Sequence, residues 1–236
     1  MSGLIRRAAA EFVGTAFLVM AVVGSGVMAS RLSPNDVGLQ LLQNSIATGA
    51  VLVALIVALQ PVSASFNPVV TLVERALGLV DIRTAAALVV AQFAGGLAGT
   101  VLANLMFNLN AVTLSTHERT GTGLWLGEVI ATIGLLLVIF GTVRSGGAGR
   151  VAFAVGGYIA AAYWFTSSTS FANPAVTVAR TITDTFAGIA PSSAPAFILA
   201  QLLGGAAGFV LIRYLFPAVV VPAAADGSAA DRKVLS

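Results

Sequence analysis

Ser63-Ala64-Ser65-Phe66-Asn67-Pro68-Val69-Val70-Thr71 and Ser168-Thr169-Ser170-Phe171-Ala172-Asn173-Pro174-Ala175-Val176-Thr177 are two versions of one phrase in a single chain. In each, asparagine offers a side-chain oxygen to cap a helix, and proline takes the first helical position, where its missing N–H costs nothing. Each phrase therefore starts a helix. Both helices are expected to be short, from Pro68 to about Leu77 and from Pro174 to about Asp184, roughly ten residues or ~15 Å, half of a bilayer's hydrocarbon thickness. One Asn-Pro alone reads as a turn between helices. Two, at equivalent places of a duplicated apolar chain, predict a pair of half-helices entering from opposite faces and meeting tip to tip.

The duplication extends outward from these phrases. Ala10-Glu11-Phe12-Val13-Gly14-Thr15 matches Gly127-Glu128-Val129-Ile130-Ala131-Thr132, and Ala91-Gln92-Phe93-Ala94-Gly95-Gly96 matches Ala200-Gln201-Leu202-Leu203-Gly204-Gly205, in the same order. Six apolar windows surround the motifs, at about 8–29, 39–60, 84–107, 123–143, 151–166 and 195–216. Three full spans per half is an odd number. The halves, about 4–107 and 122–216, then lie in the membrane with opposite polarity, as an inverted repeat with its working site at the midplane. The predicted fold class is all-α and membrane-embedded: six transmembrane helices and two re-entrant half-helices in one channel domain, residues 1–216.

Composition agrees with a chain built for lipid. Of 236 residues 58% are hydrophobic and 9% charged, against about 25% charged in a soluble domain, and the mean hydropathy is +0.97. No cysteine and a single histidine, His117, leave no disulfide framework, thiolate nucleophile or multi-histidine metal site, so no metal and no cofactor are expected. The basic residues are scattered and form no stripe for nucleic acid. With the N-terminus in the cytoplasm, Arg6, Arg7, Arg75, Arg83, Arg144, Arg150, Arg213, Arg232 and Lys233 face inward, while Arg31, Arg119 and Arg180 face outward. That is the positive-inside bias, and it predicts both termini cytoplasmic. The first window is longer than a secretory h-region and has a counterpart in mid-chain, so it reads as a retained helix. Residues 217–236, rich in Ala and Pro, read as a disordered cytoplasmic tail.

Two abutting half-helix tips, each carrying about half a positive charge and unpaired N–H groups, place an electropositive maximum at mid-membrane. Such backbone is tolerable only where it lines a cavity or is buried in protein. The predicted consequence is a narrow pore in which the Asn67 and Asn173 amides donate to passing solutes, cations and protons are repelled, and small neutral molecules pass. An intramembrane hydrolase would need a nucleophile and a base within the spans, and His117 lies in a polar connection, so no catalytic residue is expected. A coupled transporter of the formate or nitrite kind shares the broken-helix logic, but the paired Asn-Pro half-helices and the absence of an intramembrane histidine argue against it. A structural junction protein would show a closed pore in flux assays.

On these motifs the chain resembles an aquaporin of the major intrinsic protein family over about residues 8–216. The stretches 160–166, 170–177 and 183–191 resemble the bacterial S-type aquaporins associated with arsenic-resistance operons. The resemblance implies passage of uncharged metalloid hydroxides such as arsenous acid, and of methylated arsenicals, with some glycerol and water. It also implies a homotetramer in the bacterial plasma membrane, surrounded by lipid, with one pore per subunit. Its pore constriction falls on Asn67, Pro68, Val69 and Asn173, Pro174, Ala175. Two departures stand out. Val69 replaces the usual alanine and is expected to narrow the constriction slightly, and Val176 stands where water-selective and ordinary glycerol channels carry a filter arginine. Losing that guanidinium predicts a wider, less polar filter. Thr48 aligns with the filter from the second helix; from the fifth, counting gives Ala161 and a different alignment Tyr163. The alternative activity is a general glycerol and water facilitator.

Further expectations come from the repeat. Arg180 lies four residues after Val176 and Glu74 four after Val70, so each sits one turn from its motif on the same helix face. Arg180 is expected to line the external vestibule and Glu74 the cytoplasmic one, a cationic barrier displaced rather than lost. Glu11 and Glu128 are ionisable residues inside apolar spans, costly unless partnered, and the resemblance implies that they buttress the motif loops, with Gln92 and Gln201 as struts. The Gly95/Gly99 and Gly204/Gly208 spacings predict close helix approach. Trp125 is expected in an interfacial aromatic belt.

Overall fold

The computed structural model describes residues 3–217, and the tail read as disordered, from residue 218 on, lies outside them. Eight α-helices are formed among the described residues: α1 Gly3–Leu32, α2 Val37–Leu59, α3 Pro68–Ala76, α4 Ile82–Met106, α5 Thr122–Arg144, α6 Val151–Phe165, α7 Pro174–Ala179 and α8 Ala194–Leu215. Five of them, α1, α2, α4, α5 and α8, are long and apolar enough to cross a membrane. The sixth long helix, α6, has 15 residues and is preceded by a single 3-10 turn at Ala148–Arg150. α1 begins five residues before the apolar window, because Arg6 and Arg7 interrupt hydropathy without interrupting helix propensity.

The helices pack in matching pairs. α1 lies on α4 and α2, α5 lies on α8 and α6, and α2 meets α6 across the bundle. Small residues allow the tightest of these contacts. A Cβ added to Gly95 or Gly99 would overlap the Phe12 or Ala16 carbonyl of α1, and one on Gly204 would come 2.7 Å from the Val129 carbonyl of α5. With lipid as apolar as the side chains, such backbone proximity supplies association through van der Waals contact.

Two short helices fill the space between the halves. α3 packs on α4 and α8, and α7 on α8 and α4, so each half-helix is held by one helix from either half. α7 is shorter than the expected run to Asp184: it ends at Ala179 and passes into a 3-10 turn at Arg180–Ile182. The reason is a competing set of hydrogen bonds. The carbonyls of Arg180, Thr181 and Ile182 accept from Ile189, Ser115 and Thr113, so loops rather than the next helical turn satisfy them.

Candidate permeation pathway

The two motif loops are held by carboxylates that cross from neighbouring helices. Glu11 of α1 accepts from Ser63 Oγ (2.5 Å), Ser65 N (2.9 Å) and Phe66 N (2.7 Å), and Gln92 of α4 donates to it (2.8 Å) and to Thr71 Oγ1 (2.9 Å). Glu128 of α5 does the same for the second loop, accepting from Phe171 N (2.9 Å), Ala172 N (2.8 Å) and Gln201 Nε2 (2.6 Å), while Gln201 reaches Thr177 Oγ1 (2.9 Å). Both glutamates are fully buried. A buried charge is tolerated because every bond it receives comes from a donor that itself had no helical partner.

With the loops fixed, the tips of α3 and α7 meet. Asn67 Nδ2 donates to the Ala172 carbonyl and Asn173 Nδ2 to the Phe66 carbonyl, both at 2.7 Å. To turn those carbonyls toward the opposite asparagine, Phe66 and Ala172 adopt left-handed backbone, φ 48° and 47°, a conformation that non-glycine residues hold only when the surroundings enforce it. Each asparagine Oδ1 caps its own helix, accepting from Val69 N (2.9 Å) on one side and from Ala175 N (3.0 Å) and Val176 N (3.2 Å) on the other. The expectation of unpaired N–H groups at the tips is thereby corrected for Val69, Ala175 and Val176, whose amides are capped. Each asparagine Nδ2 makes one bond and keeps its second hydrogen uncommitted among the described residues.

A cavity of about 370 Å³ runs past this junction, lined by both asparagines. One wall is polar, made of the loop segments 62–67 and 170–171 with Asn67 and Asn173. The opposite wall is aliphatic, from Leu18, Val22, Leu52, Ile56, Leu135, Ile139, Val155 and Ile159 of α1, α2, α5 and α6. Toward one end stand Arg7, Gln60 and Glu74, and toward the other Thr48, Tyr163, Phe171, Val176 and Arg180. Arg7 lies near the start of α1, whereas Arg31 at its far end donates to Phe107 O (2.7 Å), beside the loop that bonds to the 180–190 segment. The two groups therefore mark opposite ends of the bundle.

The predicted site residues divide into those on the cavity and those behind it. Thr48 and Tyr163 line it with their hydroxyls 3.1 Å apart, and Val176 lines it beside them. Ala161, the other residue considered on the fifth long helix, is exposed on the outer face of α6, because two residues along a helix turn about 200°. Val69 does not narrow the route: a Cβ on Gly205 of α8 would stand 2.6 Å from Val69 Cγ1, so the valine fills the space left by that glycine. Its neighbour Val70, the counterpart of Val176, lines the cavity instead. Pro68, Pro174 and Ala175 are buried behind the lining. Glu74 lines the cavity and accepts from Ser65 Oγ (2.9 Å).

Arg180 is 3% exposed, lines the cavity, donates through Nε to the Ala187 carbonyl and lies with its guanidinium carbon 3.4 Å from the Phe171 ring centroid. Phe171 and the loop arginine Arg119, 5.1 Å from the same ring, were not legible as site residues, since nothing local in their sequence separates them from packing or exposed positions. Trp125, in the first turn of α5, is half-buried and packs beside Phe171, Ile189 and Phe197.

Known proteins resemble this chain in sequence and in fold. A family model described as Major intrinsic protein matches residues 1–150. The chain is 50% identical over 213 residues to the aquaglyceroporin AqpS of Rhizobium meliloti (strain 1021), a match covering 90% of this chain and 91% of that one. Among solved structures, the aquaglyceroporin from Plasmodium falciparum superposes with a TM-score of 0.69 at 18% identity, over 91% of this chain and 98% of the other, a likeness of fold.

Proposed function

This chain belongs to the major intrinsic protein family, multi-pass membrane channels for small solutes rather than enzymes, and from that premise we propose that its cavity passes uncharged metalloid hydroxides such as arsenous acid, together with methylated arsenicals. The observation that carries the reading is the end of the cavity lined together by the Thr48 and Tyr163 hydroxyls and the apolar Val176. A pyramidal trihydroxide presents both hydroxyls and a bare, polarisable atom, and a lining that offers hydroxyls next to an apolar side chain suits both. The uncommitted amide hydrogens of Asn67 and Asn173 offer the next station for its oxygens.

Ion exclusion in this proposal has two sources. The capped tips of α3 and α7 keep the positive ends of their dipoles at the asparagine pair, and Arg180 adds a fixed charge one turn further along. A cation meets both in a lipid-embedded cavity where water cannot screen them. We read residues 1–216 as one channel domain in the bacterial plasma membrane, with the termini cytoplasmic, Glu74 on the inner vestibule and Arg180 on the outer. The exposed apolar faces of the long helices face lipid and the neighbouring subunits of a homotetramer.

A second reading, a general glycerol and water facilitator, is favoured by the word aquaglyceroporin in the names of both relatives. Stopped-flow light scattering of proteoliposomes challenged in turn with water, glycerol and arsenous acid separates the two. Arsenous acid is expected to equilibrate at least as fast as glycerol. Rapid glycerol and water movement with no arsenous acid uptake overturns the metalloid reading and leaves the facilitator.

A further inference from the structure

Arg119 has no part in the passage of neutral solutes, yet the loop that carries it is pinned at several points. Its backbone N–H donates to Ser193 Oγ (3.0 Å), its Nε to the Gly188 carbonyl (2.9 Å), and a terminal nitrogen approaches the Phe186 carbonyl at 3.5 Å. These bonds bring its guanidinium to 5.1 Å from the Phe171 ring that Arg180 already contacts at 3.4 Å. Two like charges are thus gathered on one aromatic ring.

Neither charge is directly paired, although the Glu128 carboxylate lies close enough to act on both through space. Carbonyls satisfy single N–H groups without cancelling a charge, and among the described residues no carboxylate hydrogen-bonds to either guanidinium. The acidic group of this region, Glu128, is saturated by Phe171 N, Ala172 N and Gln201. Arg180 is 3% exposed, and its terminal nitrogens have no protein acceptor among the described residues. They are also not among the unpartnered side-chain atoms sealed from space. They open into the cavity that the residue lines.

We propose that this end of the cavity is a binding site for a small oxyanion, which seats two oxygens on the terminal nitrogens of Arg180, is drawn there also by the charge of Arg119 beside Phe171, behind the lining, and plugs the route. A guanidinium fork presents two parallel N–H groups to such a ligand. The anion does not continue through, because beyond it only one wall carries donors while the other, with Leu52 and Ile159, is aliphatic, too little to replace an anion's hydration. A neutral trihydroxide loses far less on entering the same stretch. The proposal rests on the cavity being the solute route only for its plugging action, and binding itself is independent of flux.

The test uses the full chain and inorganic phosphate. Isothermal titration calorimetry on detergent-solubilised protein at constant ionic strength, with chloride as the balancing anion, should show saturable phosphate binding. Glycerol uptake by proteoliposomes, with phosphate on both sides, should fall with the same midpoint. Arg119→Gln is expected to raise that midpoint about tenfold relative to the variant's own phosphate-free uptake, the loss of one nearby charge, and Arg119→Lys to raise it less. No saturable heat with wild-type protein, or one common midpoint for wild type and Arg119→Gln, overturns the proposal. Phosphate binding in a protein that moves neither glycerol nor arsenous acid supports the site and sinks the solute-route reading, and with it the plugging action.

Discussion

The contact between Val69 and Gly205 makes a double-substitution experiment with a definite sign. Alanine at position 205 alone would bring its Cβ to 2.6 Å from Val69 Cγ1, whereas the next atom, Val69 Cβ, lies at 3.9 Å, an ordinary contact. Gly205→Ala should therefore destabilise by about 1–3 kcal/mol, the usual cost of overpacking a filled interior. Val69→Ala removes two buried methyl groups at about 0.8 kcal/mol each, rising to about 2 kcal/mol if the space does not collapse. In the double variant the offending Cγ1 is gone and the new methyl occupies part of the vacated volume. It should be no less stable than Val69→Ala alone, a coupling of about 1–3 kcal/mol in favour of the pair. Equilibrium unfolding in mixed micelles by SDS titration, followed by tryptophan fluorescence, measures all four corners of the cycle. Additive costs would refute the packing account. So would a large change in neutral-solute flux for Val69→Ala, since that side chain would then face the route rather than α8.

The same geometry sets other outcomes. Glu128→Gln turns a donor toward the Ala172 amide or the Gln201 side chain in place of an acceptor, and should cost about 2–4 kcal/mol in the same unfolding assay. Solute flux should fall with it, because the loop bearing Asn173 loses its brace; an unaltered stability would remove the buttress role. The Asp184 carboxyl is held below its ordinary value by the Thr116 N–H and hydroxyl that donate to it. A lowered folded value means that the ionised group ties down the 107–121 loop above the usual aspartate range near ~4, and that the tie is lost as pH falls through the lower folded value. Hydrogen exchange of that loop, corrected for intrinsic rate, should stay level from neutral pH to about 5 and rise only below the aspartate range; a rise between neutrality and about pH 5 would implicate another group. Gly99→Ala should separate α1 from α4 and lower thermal stability, because the new methyl overlaps the Ala16 carbonyl.

Much of this molecule was legible in its sequence. The spans came from apolar windows bounded by charge, because a bilayer demands long uninterrupted helices. The half-helices came from Asn-Pro, whose capping chemistry is local and needs no tertiary partner. That Glu11 and Glu128 need partners followed from their depth in apolar spans, and that those partners are the motif loops was implied by the family resemblance.

What the chain could not disclose one segment at a time was direction. Val69 and Val70 are adjacent and chemically alike, yet one fills a notch opposite Gly205 and the other faces the cavity. Which does which depends on the rotation of α3 against α8, a quantity with no local signature. The choice between Ala161 and Tyr163 was open for the same reason, and the hydrogen bond from Tyr163 across to Thr48, 115 residues away, resolves which face of α6 turns inward. The end of α7 at Ala179 was hidden because distant loop amides capture the carbonyls of the residues that follow it, Arg180 to Ile182. Arg119 reaches Phe171 only because the 107–121 loop folds back over the 180–190 segment. Local capping and hydropathy determined which elements exist and that two tips must meet; long-range packing and hydrogen bonding decided which side chains face the conduit, because facing is a relation between elements and no single segment contains it.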